Sequence, residues 1–231
     1  MFSRLTRRFR PRNPTAETST AMNPHVALRT AIRTLVAPLG LVLASCTPGK
    51  QALHGLKLPH ALDVGKVTVR EVRDAGAASA YRFCAGPGGL LYVFFGYAHC
   101  PDICPTTLAD LRRTLRMLGP DSARVGVAFV TVDPGRDSAA VLVPFLHAFI
   151  PGAHALQPAS QEELAAAERA FGATSSVSRR ADGTVDVSHT GASYVVDAGG
   201  HVLLEWDYGT KPADMASDLG VLLRLQRSVP R

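Results

Sequence analysis

Two cysteines four residues apart are the part of this sequence best suited to chemistry. Cys100 and Cys104 lie in the segment Cys-Pro-Asp-Ile-Cys-Pro, directly after an apolar run at 90–95. An apolar run followed by such a proline-containing segment predicts a strand that gives way to a helix. The unpaired backbone N–H groups and the dipole at a helix N-terminus stabilise thiolates. Two thiolates at one point can form a disulfide or bind a soft metal ion.

The spacing of these cysteines favours chemistry over a structural crosslink. A disulfide across so short a loop constrains the unfolded chain little. Four residues correspond to one helical turn, so both sulfur atoms can face the same side of a helix. Thiolates suit Cu(I) or Zn(II), but two sulfurs do not complete a protein site for either ion. A third ligand is therefore required.

A histidine far along the chain is the candidate for that third ligand. His189 lies in the segment Val-Asp-Val-Ser-His-Thr-Gly, just before a predicted hairpin. Its main rival is His99, which adjoins Cys100, although adjacent residues of an extended segment point to opposite sides. Solvated or packed roles are expected for the six remaining histidines, which lie in the leader, in the tether, on a helix, in a polar loop and at the start of a strand: His25, His54, His60, His147, His154 and His201.

The elements that must position these residues alternate between strands and helices. Continuous apolar runs at 90–97 and 125–132 are typical of strands buried on both faces, and leucines recur at helical spacing between them. Strand, helix and strand in this order imply a right-handed parallel crossover. The full prediction comprises a strand at 66–72, those two buried strands, a hairpin of 192–196 with 201–206, and helices at about 105–118, 138–150, 160–171 and 213–226.

Several single residues add local detail to the predicted helices. Pro144 predicts a kink or an early break in the second helix. Ser160 and Glu163 predict a capping box at the start of the third helix. Arg136 is expected to pair with an acidic neighbour. Asp137, which precedes the second helix, is expected to cap it rather than to bind a metal ion.

The order of elements is that of a thioredoxin-like domain. This is an α/β fold with a central mixed β-sheet flanked by helices and, in this chain, a β-hairpin late in the sequence. The dithiol then lies at the C-terminal end of the first central strand, where open α/β sheets place their sites.

The basic charge of the chain belongs to its N-terminal region. The formal net charge is +6, but residues 1–45 hold seven of the 25 basic and one of the 19 acidic residues, which leaves 18 of each from Cys46 onward. A body with balanced charge lacks the basic surface that nucleic acids require. We therefore predict no nucleic-acid partner.

The same region has the pattern of a secretory signal. Arg29 and Arg33 precede an apolar run at 35–43 that is too short to span a bilayer, and small residues and Cys46 follow it. The sequence Leu-Ala-Ser-Cys resembles the bacterial lipobox, in which the cysteine is lipidated and becomes the mature N-terminus. The signal is complete from Met22 onward, so Met22 is an alternative start to Met1.

These boundaries divide the chain into three predicted parts. They are an N-terminal extension and lipoprotein signal peptide at 1–45, a flexible tether at 46–64 and the thioredoxin-like domain at 65–231. The expected location is the bacterial plasma membrane, lipid-anchored, with the domain on the extracytoplasmic (periplasmic) side.

Three motifs together resemble the SCO/SenC family of copper chaperones. Residues 95–108, Phe-Gly-Tyr-Ala-His-Cys-Pro-Asp-Ile-Cys-Pro-Thr-Thr-Leu, look like the family signature, and Val-Asp-Pro-Gly-Arg-Asp at 132–137 resembles its second motif. His189 corresponds to the third motif. The resemblance implies a thioredoxin fold that binds copper, as Cu(I) or Cu(II), through Cys100, Cys104 and His189.

The resemblance also implies a role and partners. The implied role is delivery of copper, with accompanying reduction of cysteines, to the binuclear copper centre of cytochrome c oxidase during assembly. Its partners would be the copper-accepting subunit of that oxidase, a protein that reduces the thiols, and the membrane through the lipid anchor. An extra cysteine, Cys84, departs from the family pattern. We expect it to be buried and inert, the alternative being a mixed disulfide with Cys100 or Cys104 that would silence the site.

The amino-acid sequence leaves other classes of function open. A metallochaperone need not be an enzyme, but a thiol–disulfide oxidoreductase would use Cys100 and Cys104 as redox-active catalytic thiols and would not need His189. A thiol peroxidase is less favoured, because no Thr-x-x-Cys arrangement surrounds either thiol. A zinc-stabilised structural lipoprotein would require a fourth ligand that the sequence does not offer.

Overall fold

The computed structural model describes residues 52–73 and 76–227 of the 231-residue chain. The predicted signal peptide, the alternative start at Met22 and the lipidation site Cys46 lie outside the described residues. Within the described ranges, no helix has both the length and the apolar character needed to cross a membrane.

A mixed sheet forms the centre of the fold. Its seven strands lie in the order β2-β1-β5-β4-β3-β8-β9, with β3, β4 and β5 parallel to one another and the other pairs antiparallel. These strands are β1 (Thr68–Val72), β2 (Ala78–Arg82), β3 (Leu90–Gly96), β4 (Val125–Thr131), β5 (His154–Leu156), β8 (Ser193–Val196) and β9 (Val202–Trp206). A separate antiparallel ribbon pairs β6 (Ser175–Arg179) with β7 (Val185–His189).

Within the described ranges, four α-helices cover the sheet: α1 (Ile103–Leu118), α2 (Ala139–Phe149), α3 (Gln161–Phe171) and α4 (Pro212–Arg227). All seven residues of β3 are buried, as the continuous apolar run predicts. Tyr92 and Phe94 point into the core that contains residues of α1, α2 and α4. Val93 and Phe95 point to the other face, which packs against α3. The predicted α/β thioredoxin-like architecture is confirmed.

The second helix contradicts one of the two alternatives for Pro144. The sequence predicts a kink or an early break there, and the early break is wrong, because α2 continues through this residue to Phe149. Pro144 and Ala140 are both exposed. The carbonyl of Ala140, which loses its N–H partner to the proline, can therefore bind water instead.

The third helix begins as predicted, with one difference. The Ser160 hydroxyl accepts a hydrogen bond from the Glu163 N–H at 3.2 Å, so Ser160 is the N-cap. The Glu163 carboxylate does not return to Ser160, because its oxygens accept from Arg70 N–H at 2.5 Å and Ala159 N–H at 2.8 Å. Glu163 therefore connects α3 to β1, in place of the second half of the capping box.

The sequence did not predict four of these strands: β2, β5, β6 and β7. Strand β5 has three residues, β2 and β6 are mostly exposed and β7 is mostly half-buried, so none carries a clear alternating pattern. His154 begins β5, where its Nδ1 bonds Glu71 Oε1 at 2.7 Å. Its predicted place in a polar loop is therefore wrong.

The described part of the predicted tether at 46–64 lies against the domain. Leu56 and Glu205 exchange backbone hydrogen bonds of 2.8 and 2.9 Å, and Asp63 bridges to His201. Val64 is fully buried. The chain fits closely at Gly55, where a Cβ atom would lie 2.6 Å from the Trp206 ring. Residues 52–64 are thus held by pairing and burial and do not form a free tether.

A buried carboxylate fixes the start of this segment. Asp218 of α4 is fully buried and accepts hydrogen bonds from the backbone N–H groups of His54 and Gly55 and from Trp206 Nε1, all at 3.0–3.1 Å. His54 Nδ1 also contacts Asp218 Oδ1 at 3.0 Å. Since a buried carboxylate is stable only when its oxygens are paired, this network links the segment to α4 and β9.

Candidate metal centre

The loop between β3 and α1 carries the dithiol. Strand β3 ends at Gly96, where a Cβ atom would lie 2.8 Å from Cys104 Sγ, so any side chain at this position would displace the sulfur atom. Cys104 is buried in the first turn of α1, while Cys100 precedes the helix. Cys100 Sγ accepts a hydrogen bond from the Cys104 N–H at 3.3 Å. The helix N-terminus thus contacts a sulfur atom, although only one of the two cysteines is helical.

His189 faces this pair of sulfurs. Its Nε2 lies 3.8 Å from Cys104 Sγ, and the ligand atoms of His189, Cys100 and Cys104 all lie within 4.8 Å of one another. His189 Nδ1 lies 2.9 Å from the Thr190 carbonyl oxygen. Because a carbonyl only accepts, Nδ1 carries the proton, and Nε2 presents its lone pair to the sulfurs.

The ribbon β6–β7 holds this imidazole in place. His189 is the last residue of β7 and pairs with Ser175 of β6. Thr190 N–H continues the pairing by donating to the Thr174 carbonyl at 2.9 Å. The rings of Phe94 and Tyr97 lie edge-on to the imidazole, with centroids at 6.1 and 5.9 Å. His189 therefore lies at the end of an ordered strand and not in a loop.

The two thiols differ in acidity. Burial disfavours the Cys100 thiolate, but the N–H groups of Cys104 and Asp102 and the Tyr97 hydroxyl outweigh it, so the pKa of Cys100 is lowered. Burial is the main cause that raises the pKa of Cys104. The pKa of Tyr97 rises to about 12, through burial and the neighbouring Cys100. Sequence reasoning missed Tyr97, although its place between strand and first cysteine was a usable signal.

Asp137, which is not part of the cluster, holds the loop between β3 and α1 in place. Its fully buried carboxylate accepts hydrogen bonds from Ala98 N–H at 2.8 Å and Thr131 Oγ1 at 2.6 Å, and it contacts His99 Nδ1 at 3.0 Å. The predicted cap of α2 is therefore wrong, since Ser138 holds the N-cap position. His99, the rival ligand, is turned toward Asp137 and lies outside the three-residue cluster.

The other predictions about nearby residues have separate outcomes. Arg136 pairs with Asp133, as expected, and its guanidinium lies over the Tyr97 ring at 5.9 Å. Asp102 is exposed at the start of α1 and is not in the cluster. It contacts Thr106 Oγ1 at 3.4 Å.

Cys84 lies away from the centre. It is partly exposed and unpaired, so the prediction of a buried residue is wrong. It lies beside Gly65 and Gly200, at the end of the sheet where β3 begins. The seven-residue strand β3 separates it from the dithiol by about 20 Å. A disulfide with Cys100 or Cys104 within this fold is excluded, because it requires Cα atoms less than about 7 Å apart.

Comparison with known proteins agrees with this geometry. The mouse mitochondrial SCO2 homologue is 38% identical over 86 residues, which cover 36% of this chain and 33% of that protein. A putative copper-binding protein of Stutzerimonas stutzeri is 33% identical over 100 residues, or 43% of this chain and 48% of the other. The matched region thus spans a third to a half of these relatives.

Solved structures match over a longer range. The structure of Bradyrhizobium japonicum ScoI with copper bound superimposes with a TM-score of 0.58 at 28% identity, covering 67% of this chain and 97% of that one. The profile of the SCO1/SenC family matches residues 85–224, which include the dithiol, the Asp137 loop and His189. The chain belongs to the SCO1/SenC family.

Proposed function

We propose that this chain binds one copper ion through Cys100 Sγ, Cys104 Sγ and His189 Nε2 and delivers it to the binuclear copper centre of cytochrome c oxidase during assembly. The observation that supports this most is the convergence of these three atoms to within 4.8 Å, from residues up to 89 positions apart. Copper is the cargo in this proposal, as it is the ion bound in the related ScoI.

The donor set suits Cu(I). Thiolates and imidazole are ligands that this ion prefers, and two thiolates with a neutral imidazole leave the complex with a net charge near −1. The half-buried position of Cys100 and His189 keeps the ion within reach of an acceptor, while Cys104 lies beneath them. Oxidation of the thiols to a disulfide would remove both soft ligands, so redox state would control copper binding.

Release can begin at Cys100. Of the two sulfurs, Cys100 has the lower pKa and the greater exposure, so an incoming thiolate meets it first. His189 is fixed by the ribbon β6–β7, so opening of the site at the histidine would require movement of that ribbon. The acceptor would therefore exchange ligands with Cys100 before it displaces the other two.

Anaerobic titration with Cu(I) tests the binding site. The reduced chain from Pro48 onward, which forms one compact unit, should bind one copper per chain. Cys100→Ala, Cys104→Ala and His189→Ala should each weaken binding by at least tenfold, because each leaves only two ligands. The matched controls His99→Ala and Cys84→Ser should bind like the parent. Parent-like affinity in His189→Ala would overturn the proposed ligand set.

Delivery to the oxidase needs its own test. A purified soluble copper-binding domain of the oxidase subunit should acquire copper from the loaded chain, detected by the absorption of the binuclear centre. The transfer should fail with Cys100→Ala. Equal rates from the loaded chain and from free copper buffered to the same concentration would contradict a delivery role.

We also propose that Cys46 carries a lipid that holds the chain at the extracytoplasmic face of the bacterial plasma membrane. The Leu-Ala-Ser-Cys sequence after a short apolar run supports this. In a bacterial host supplied with a labelled fatty acid, the parent chain should carry the label and Cys46→Ser should not. A parent chain without the label would contradict the proposal.

A thiol–disulfide oxidoreductase is the second candidate function. The difference between the two thiols supports it, because a low-pKa, accessible Cys100 next to a buried Cys104 suits nucleophilic attack followed by resolution. Insulin reduction by the metal-free chain measures this activity. High activity that survives His189→Ala, together with weak copper binding, would favour the oxidoreductase.

A further inference from the structure

A cavity opens one helical turn beyond the dithiol. It has a volume of about 110 Å³ and lies between α1, the start of β8 and the loop from β9 to α4. Thr107 lines it from α1, three residues after Cys104, and Ser193 lines it from β8, four residues after His189. One turn of helix spans about 5.4 Å. A polypeptide that places a side chain in this cavity can therefore also reach the metal centre.

The inner wall of the cavity is aromatic and apolar. Tyr92, Trp206 and Met215 line it and are each at most 5% exposed. Tyr208, which also lines it, is 48% exposed and so lies at the mouth. The volume is smaller than the roughly 150 Å³ cavity that accommodates benzene in an engineered protein core. The space suits one side chain of a partner, not a cofactor.

Polar groups interrupt this apolar lining, and three of them bear on the choice of ligand: Thr107, Asp110 and Asp207. Asp110 pairs with Arg113 Nη1 at 3.0 Å, whereas Asp207 is exposed and forms no ion pair with any residue of the described ranges. Thr107 Oγ1 is buried and has no hydrogen-bond partner among the described residues. Lys211 is exposed nearby but does not line the cavity. The cavity thus offers acceptors, an unpaired carboxylate and aromatic surface.

Together, these groups favour a ligand that carries a positive charge at the end of a chain of methylene groups. A neutral apolar side chain would take water from Asp207 and leave the Thr107 hydroxyl unpaired, which costs free energy. A lysine or arginine side chain would pack its methylene groups on Trp206 and Met215 and place its charge near Asp207 and the Tyr208 ring. An anionic side chain would be repelled by both carboxylates.

We propose that this cavity receives a lysine or arginine side chain of the polypeptide that exchanges copper with the dithiol. This inference rests on the proposed function, since it names the chemistry of the acceptor at the same site. The cationic side chain would orient the acceptor so that its thiols meet Cys100. Electrostatic complementarity of this kind acts on the rate and specificity of encounter more than on affinity.

Synthetic peptides test the proposal. Each carries two cysteines and, two to six residues further on, either arginine or its neutral isostere citrulline. Transfer of Cu(I) from the loaded chain is followed by stopped-flow absorption of the copper–thiolate bands. For at least one spacing, the arginine peptide should accept copper about tenfold faster than its citrulline twin, as expected for one ion pair plus one cation–π contact.

A pair of matched variants assigns the effect to the cavity. Asp207→Asn should reduce the arginine preference to about two- to fivefold, the part left to the cation–π contact, and leave copper affinity unchanged. Asp63→Asn removes the same charge from a carboxylate that is 41% exposed and lies at the opposite end of β9. The preference of this variant for the arginine peptide should therefore equal that of the parent. Equal rates for every arginine peptide and its twin would overturn the proposal, as would an equal loss in both variants.

A second measurement separates this inference from the proposed function. Peptides with serine in place of both cysteines are titrated into the metal-free chain, and the Trp206 Nε1–H and Thr107 amide resonances are followed by NMR. The arginine peptide should shift both resonances saturably, and the citrulline peptide should not. A chain that binds no copper refutes the proposed function, whereas absent shifts with intact copper binding refute only the cavity proposal.

Discussion

Asp137 offers the sharpest test of how the dithiol loop is held. Its buried carboxylate accepts hydrogen bonds from Ala98 N–H and Thr131 Oγ1, both through Oδ2, while Oδ1 faces His99. Asp137→Ala leaves two donors without an acceptor. Each unpaired buried donor costs about 1–3 kcal/mol, so the free energy of unfolding should fall by about 2–6 kcal/mol.

Asp137→Asn is the matched variant that separates hydrogen bonding from charge. Its amide oxygen can still accept from Ala98 and Thr131, and only the contact with His99, whose ring is 45% exposed, is lost. We expect a cost of about 1–2 kcal/mol, from the loss of charge assistance and of one partly exposed pair. The oxygen must be oriented toward Ala98 for this result.

Urea denaturation at pH 7 measures both costs, and Cu(I) competition with a chelator measures the effect on the centre. Asp137→Ala should weaken copper binding at least tenfold, because Cys100 lies two residues after Ala98 in the released loop. Asp186→Ala is the control, since it removes an exposed carboxylate paired with Arg180 and should cost less than about 1 kcal/mol. An Asp137→Ala variant within 1 kcal/mol of the parent would refute the reasoning.

Three further predictions follow from local geometry and pKa shifts. Iodoacetamide at pH 7 should alkylate Cys100 well before Cys104, because the pKa of Cys100 is lowered and that of buried Cys104 is raised; mass spectrometry of quenched samples gives the order. Gly96→Ala should cost about 1–3 kcal/mol in urea denaturation and weaken copper binding, because the added Cβ meets Cys104 Sγ at 2.8 Å. The hydrogen bond to Asp218 raises the pKa of His54. Protonated His54 therefore stabilises the fold fully below the unfolded-state pKa near 6.5, and this stabilisation is lost as pH rises through the folded-state pKa. His54→Ala should lower the free energy of unfolding more at about pH 5.5 than at about pH 8.5.

The two substitutions among these predictions each have a control. Gly126→Ala places a Cβ 3.3 Å from the flexible end of Leu91, so it should cost less than Gly96→Ala. His201→Ala removes a partly exposed histidine and serves as the pH control for His54. Equal alkylation rates at Cys100 and Cys104, or a pH-independent cost for His54→Ala, would contradict the assigned shifts.

The sequence predicted best the parts of the fold where burial repeats along the chain. Strands β3 and β4 and helix α1 combine apolar runs with helical leucine spacing, and each lies where its pattern placed it. The cluster of Cys100, Cys104 and His189 was also predicted, although its members come from an α1 terminus and a distant ribbon. Few residues were candidates for this cluster, because only a small number of residue types bind a soft metal ion.

The errors arose where distant partners decide a residue's role. Asp137 has the local position of a helix cap, but its donors come from Ala98, 39 residues earlier, and from Thr131. Strand β6 is mostly exposed and β7 is mostly half-buried, so neither strand has a buried face to mark it in the sequence. Residues 52–64 have the composition of a tether, yet pairing with Glu205 and the buried Asp218 hold them.

That bound segment has a consequence for how copies of the molecule meet. Strand β9 ends the sheet order, and residues 55–63 run along its outer side. A chain shortened to begin at residue 65 would present the open backbone of β9 to any second molecule, together with an Asp218 carboxylate that has lost its His54 and Gly55 donors and keeps Trp206 Nε1. Edge strands left bare in this way template intermolecular pairing. Such a shortened chain should aggregate at concentrations where the longer one stays monodisperse.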